Sequence, residues 1–194
     1  LLPPSWELVG VSGVVEGLRE VKDAEEARRI AAAAELADNA LREVLEGGLC
    51  GRTEREVAMA LDAAMRRLGA ESASFDTIVA AGEHGALPHA TPRDVQIPPG
   101  VLVTIDWGAR LDGYCSDCTR TYASGAPGAR AREVYALVLG ALETAAAGLR
   151  PGLTGQEADA LARGVIEAAG HGEHFGHGLG HGVGLEVHLS LIHI

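Results

Sequence analysis

An α+β fold, with an antiparallel sheet and flanking helices, is what three features of the sequence predict. Polar helix-start signals recur toward both ends of the chain. The apolar period changes from helical to alternating between residues 74 and 123, and an Asp-Gly dipeptide separates two of the alternating runs. The order is helices, a meander of strands, then helices again. A doubly wound parallel sheet would need strands and helices to alternate.

The elements follow in chain order. Asp23 with Glu26 opens a helix expected to run to about Leu45 and close at Gly47-Gly48, because this pairing satisfies the free amides of a first turn. Thr53 with Glu56 opens a second, with an apolar stripe of Val57, Ala60, Leu61, Ala64, Met65 and Leu68 and a stop at Gly69. Residues 74–81 (SFDTIVAA), 101–105 (VLVTI) and 120–123 read as strands. Asp112-Gly113 is a dipeptide favoured in two-residue hairpin turns. The next helix shows the period without the cap, through Val134, Leu137, Val138, Ala141, Leu142 and Ala145, and precedes Pro151-Gly152. Thr154 with Glu157 opens the last, ending near Gly170. The charges on the outer faces of these helices carry no functional reading. No long linker and no repeat in the ~20–50-residue range stands out, although helix pairs on either side of the strands hint at an ancient duplication.

Composition narrows the function classes. The 194 residues suit one domain with a sizeable core. Apolar residues make up 47% of the chain, yet no run approaches the ~18 apolar positions of a membrane span, so no membrane partner is expected. A net charge of -11, with 16 scattered basic residues, argues against a nucleic-acid surface, which needs clustered Lys and Arg. The three cysteines, Cys50, Cys115 and Cys118, make no secreted disulfide framework. Cys115-x-x-Cys118 has no second pair and reads as two strand cysteines rather than a redox or zinc motif. With no secretory leader pattern, a cytoplasmic location is expected.

The first chemical signal is a carboxylate pair. Asp106 ends the apolar run of residues 101–105, where a bare carboxylate is expensive to bury. If Asp112-Gly113 turns the hairpin, Leu111 faces Tyr114 and, counting outward, Asp117 faces Gly108. Asp106 and Asp117 then become diagonal neighbours on one side, roughly 7–8 Å apart at the backbone. Two converging carboxylates repel unless a cation or shared proton lies between them. A divalent metal is one solution, with Gly108 leaving room for it. The other is that one Asp pairs with Arg120 or caps a turn.

The second signal is histidine. Of eight, five (His171, His174, His177, His181 and His188) crowd into residues 171–188, and every even position of 176–184 is Gly. If that stretch is extended, His177, Leu179 and His181 share one face and bare backbone forms the other, as where a ligand or second chain segment approaches closely. Imidazoles beside carboxylates suit Mn, Co or Zn better than Ca. His84, His171, His174 and His193 read as ordinary surface or core histidines, and His89, in a proline-bounded loop, has no role by itself.

Taken in order, residues 74–82 (SFDTIVAAG), 87–92 (LPHATP), 104–109 (TIDWGA), 113–121 (GYCSDCTRT) and 176–188 (GHGLGHGVGLEVH) resemble the creatinase and Xaa-Pro peptidase family of metallopeptidases. The resemblance spans roughly residues 21–188, and the last two motifs look like the Xaa-Pro branch rather than methionine aminopeptidase. It implies a pita-bread fold with a curved antiparallel sheet. It also implies two divalent ions, with Mn favoured over Co and Zn, and a hydroxide shared between them that attacks the scissile carbonyl. By motif, Asp106, Asp117 and His181 match three metal ligands, with Asp117 bridging both ions. His89 and His188 match histidines that hold substrate and move protons or stabilise the tetrahedral intermediate, and His177 another near the substrate. The substrate implied is a peptide with proline at its second position, and dimers are common in the family.

The resemblance also implies two further glutamate ligands beyond the last histidine motif, one of them the general base. Here residues 189–194 read Leu-Ser-Leu-Ile-His-Ile and look non-native. Residues 1–20 begin without Met and look like the remnant of a preceding domain or linker, leaving 21–188 as a catalytic domain incomplete at its C-terminus. With three of five ligands, the chain itself is expected to be inactive. A non-catalytic pita-bread module that binds peptides or proteins is the alternative from another class. Creatine-type amidino hydrolysis, which needs no metal, is disfavoured by the three retained ligands.

Overall fold

The computed structural model describes residues 9–189. Helix α1 (Val14–Glu20) precedes α2 (Ala24–Glu46) and α3 (Glu54–Arg67). Six strands follow: β1 (Ser72–Ala73), β2 (Ile78–Ala81), β3 (Leu102–Trp107), β4 (Ala109–Leu111), β5 (Tyr114–Cys115) and β6 (Cys118–Ala123). Helices α4 (Ala129–Gly148) and α5 (Gly155–Ala168) come last. Each expected capping box forms: Asp23, Thr53 and Thr154 accept the third-position amide while Glu26, Glu56 and Glu157 reach back to the cap. Each cap satisfies two otherwise orphaned donors, which is why these helix starts were readable. Residues 1–8 and 190–194, and with them His193 and most of the supposed tail, lie outside the described part. Leu189 is inside it, buried and bridged to Gly182.

The strands form two three-stranded antiparallel sheets, of order β2-β3-β6 and β1-β4-β5. Asp112 and Gly113 both take positive φ, 49° and 80°, as a two-residue primed hairpin turn demands. Leu111 faces Tyr114, and the same register carries on to Asp106 opposite Thr119 and Leu102 opposite Ala123. Of the run expected as a strand over 74–81 only Ile78–Ala81 is one, β1 lying just before it; Thr77, ahead of β2, bonds the Asp62 carboxylate at 2.5 Å.

Alternation along β3 sorts its side chains. Val103, Ile105 and Trp107 turn into the core against α2 and α3, where Leu61 and Met65 are also fully buried. Burying one such large apolar side chain is worth roughly 1.5–3 kcal/mol. Leu102, Thr104 and Asp106 take the half-open opposite face. Trp107 fixes the end of the strand by donating its indole N–H to the Ala37 carbonyl of α2 at 2.9 Å. Helices α4 and α5 pack on each other around Ala141, Ala145 and Ala162. The expected apolar stripe of α4 is only partly covered: among the described residues nothing shields Val138 and Leu142, 52% and 57% exposed.

Candidate active site

Asp106 owes its chemistry to its place at the end of β3. Burial pushes its carboxyl up from 3.8 to about 6; the Asp117 charge adds to this, while the Thr119 hydroxyl, His181 and His89 act the other way. Its Oδ1 is buried with no hydrogen-bond partner. Asp117 is also raised by burial, with His181 and His188 opposing. The two carboxylates are therefore mutual neighbours, as the hairpin register predicts. Arg120 does not pair with either; its guanidinium bonds the Thr119 carbonyl at 2.7 Å.

Gly108 does not leave room for an ion. A Cβ there would stand 2.0 Å from the Ser116 carbonyl oxygen, so the missing side chain admits the opposing backbone. The hairpin breaks here: the Ser116 amide donates to the Ala109 carbonyl and its hydroxyl accepts the Ala109 amide. Asp106 lies in β3 beside that break, and Asp117 lies within it, between β5 and β6.

The histidine segment is not the extended strand expected. It runs as bends, turns back on itself where Gly182 and Leu189 exchange both hydrogen bonds, and touches the hairpin through the Cys115 amide and the Gly184 carbonyl, 2.7 Å apart. A strand needs a ladder partner, and among the described residues this segment finds mainly its own continuation. The fold-back brings the His181 and His188 rings to 4.2 Å between centroids. His181 Nε2 lies 3.4 Å from Asp117 Oδ2. His177 falls elsewhere, its ring edge-on to Phe175 at 5.1 Å, with no contact among the described residues to Asp106, Asp117 or His181.

His89 sits exposed on the loop after β2, close enough for its charge to lower Asp106. That loop hangs on a residue not singled out from sequence, Glu54. Its carboxylate is 1% exposed and accepts from the amides of Ala81 and Arg93, from the Arg93 guanidinium twice, and from His84 Nδ1. Burial alone would raise this carboxyl, but the bonds from Arg93, Ala81 and His84 outweigh it and hold it at about 2. In the sequence no local signal separates Glu54 from Glu56. His84 is structural, as expected. Cys115 and Cys118 are free, and burial raises both thiols, which suits strand cysteines and not a redox pair.

Among the described residues no three His, Cys, Asp or Glu side chains form a ready-made ligand group. The donor chemistry nonetheless fits a divalent ion. Asp106 Oδ1 is an orphaned buried acceptor. His181 Nδ1 faces the Gly182 carbonyl at 3.1 Å and so carries a proton; in the neutral ring Nε2 is then an acceptor turned to the Asp117 carboxylate, and in the imidazolium it donates to it. Acceptors gathered in this way favour a cation between them.

Helices around a bent antiparallel hairpin, with acidic and imidazole acceptors at its break, define a pita-bread domain of metallopeptidase type. Residues 28–193 match the profile of metallopeptidase family M24, and the chain belongs to that family. The Xaa-Pro dipeptidase of Pyrococcus furiosus is 43% identical over 182 residues, covering 94% of this chain and 52% of that protein. An Xaa-Pro dipeptidase from Bacillus anthracis superposes with a TM-score of 0.91 at 46% identity, over 93% of this chain and 51% of that one. An X-Pro aminopeptidase from Thermotoga maritima MSB8 also gives 0.91, at 41% identity, over 95% and 52%. The chain thus spans about half the length of these relatives. No described helix is long and apolar enough to cross a membrane.

Proposed function

We propose that this chain is part of a metal-dependent hydrolase of Xaa-Pro peptide bonds, of the aminopeptidase P or prolidase kind. What supports the reading is the contact of His181 with Asp117, together with the orphaned buried Asp106 Oδ1 that feels both charges, in a chain of family M24. These three residues would hold divalent ions, Mn favoured over Co and Zn. Such ions supply a nucleophilic water at neutral pH and polarise a carbonyl. His188, beside His181, and His89, on the loop pinned by Glu54, would bind peptide and hold or give a proton. The His177 imidazole serves the same substrate from farther out. A tertiary amide nitrogen at proline must be protonated to leave, which is the work assigned to this histidine set. The whole protein is read as a cytoplasmic homodimer.

The 194-residue chain by itself is inactive on this reading, because three ligands leave two ions with surplus charge and too few anchors. Assay with Mn2+ and an Xaa-Pro dipeptide should show no turnover; robust turnover would overturn the inactivity. In the full-length parent, the sequence downstream of His188 should supply two more glutamate ligands.

Among the described residues no three His, Cys, Asp or Glu side chains form a ready-made ligand group, and the rival reading is a pita-bread module that binds peptide or protein without catalysis. Metal analysis of the full-length protein separates them, since a binding module retains no ion at Asp106 and Asp117.

A further inference from the structure

Asp159 and Arg163, one turn apart on α5, do more than pair with each other. The Asp159 side chain is 7% exposed and Arg163 27%, unlike the open Glu25–Arg29 pair of the same spacing. Beyond Asp159, Arg163 donates from Nη1 to the Phe175 carbonyl at 2.8 Å and from Nη2 to the His177 carbonyl at 2.9 Å. Its guanidinium also lies over the Phe175 ring, 4.5 Å from the centroid. Asp159 Oδ1 accepts the Leu179 amide at 2.9 Å. One largely buried pair therefore holds backbone groups of residues 175, 177 and 179.

The residues between them are glycines, which cannot anchor themselves by side-chain packing and have the most backbone freedom to lose. Fixed in this way, His177 keeps its ring against Phe175 and places Nδ1 2.8 Å from the Gly178 carbonyl. A carbonyl only accepts, so Nδ1 carries the proton and Nε2 is left with a free lone pair. An unconstrained neutral histidine instead populates both tautomers and favours the proton on Nε2.

We propose that Asp159 and Arg163 are positioning residues that hold the backbone of 175–179 so that His177 is locked with its proton on Nδ1 and presents Nε2 as an acceptor. The inference rests on the peptidase reading for its purpose, the free Nε2 being the atom that meets substrate. The lock itself stands on geometry alone.

Long-range 1H–15N spectra of the chain, taken above the pH range in which histidines titrate, report each imidazole tautomer. Wild-type His177 should show the Nδ1–H pattern. Arg163→Gln should shift it to the mixture dominated by Nε2–H, with the Trp107 indole resonance unmoved as the sign of an intact core. Arg163→Lys keeps the charge pairing but cannot span two carbonyls, so it should release His177 too, where a mere ion-pair role would be rescued. An Nε2–H pattern in the wild-type chain overturns the proposal whether or not the variants fold, as does Nδ1–H retained in either folded variant. A calorimetric Mn2+ titration keeps the two readings apart. If Mn2+ binding is unaffected by Asp117→Asn while the tautomer shifts as expected, the metal assignment falls and the positioning role stands.

Discussion

His181 Nε2 stands 3.4 Å from Asp117 Oδ2, with both side chains about three-quarters buried. The other ring nitrogen faces the Gly182 carbonyl, so in the neutral imidazole two acceptors confront each other in a partly desolvated place. A cation between them resolves the repulsion. Asp117→Asn or His181→Ala should therefore weaken Mn2+ binding by at least ~10–100-fold, the loss seen even for second-shell partners. Isothermal titration calorimetry measures this directly, and unchanged affinity in both variants would separate the pair from metal binding.

Asp106 should trade stability for function. Its carboxyl is raised to about 6, chiefly by burial, so the ionised form present at pH 7 opposes folding. Asp106→Asn removes that charge and should stabilise the metal-free chain by about 1–2 kcal/mol, discounting the full shift for partial exposure. The same substitution should abolish Mn2+ binding. Urea unfolding with and without Mn2+ checks both signs, and a destabilised metal-free variant would contradict the account.

Glu54 works in the opposite sense. Its folded pKa is lowered to about 2 from the ordinary 4.5, so its contribution is complete above 4.5 and is lost as pH falls through 2. Glu54→Gln turns one carboxylate oxygen into a donor facing donors and should cost roughly 2–3 kcal/mol. The loss is below the ~3–5 kcal/mol of a fully buried pair because Arg93 is half open. Between pH 4.5 and 2 the wild-type chain should lose stability more steeply than the variant, as pH-dependent denaturation curves would show.

Gly108→Ala should destabilise the hairpin break. The added Cβ meets backbone, the Ser116 carbonyl, and backbone cannot rotate away as a side-chain tip can. Overpacking of this kind costs about 1–3 kcal/mol. Differential scanning calorimetry should find a lower Tm together with weaker Mn2+ binding, since the break holds Asp106 and Asp117 in register. An unchanged Tm would mean that the close approach is not required.

Much of this was legible because it is local. The caps at Asp23, Thr53 and Thr154 and the turn at Asp112-Gly113 are short-range grammar, and once the turn is fixed the register sets Asp106 against Thr119 and brings Asp117 near. What was illegible depends on residues far apart in sequence. Glu54 looks like a solvated charge until the fold closes over it and brings Arg93 to it, and Asp159–Arg163 has the spacing of any exposed helical pair. The histidine segment was misread as extended because alternating glycines suggest a period of two, while the bends arise from Leu189 folding back on Gly182.

Paramagnetic broadening on titrating the chain with Mn2+ tests the metal assignment most directly. Side-chain resonances of Asp106, Asp117 and His181 should broaden first and together, at substoichiometric Mn2+, and should sharpen again on adding a chelator. Broadening that spares these three, or that spreads evenly over the acidic surface, would contradict it.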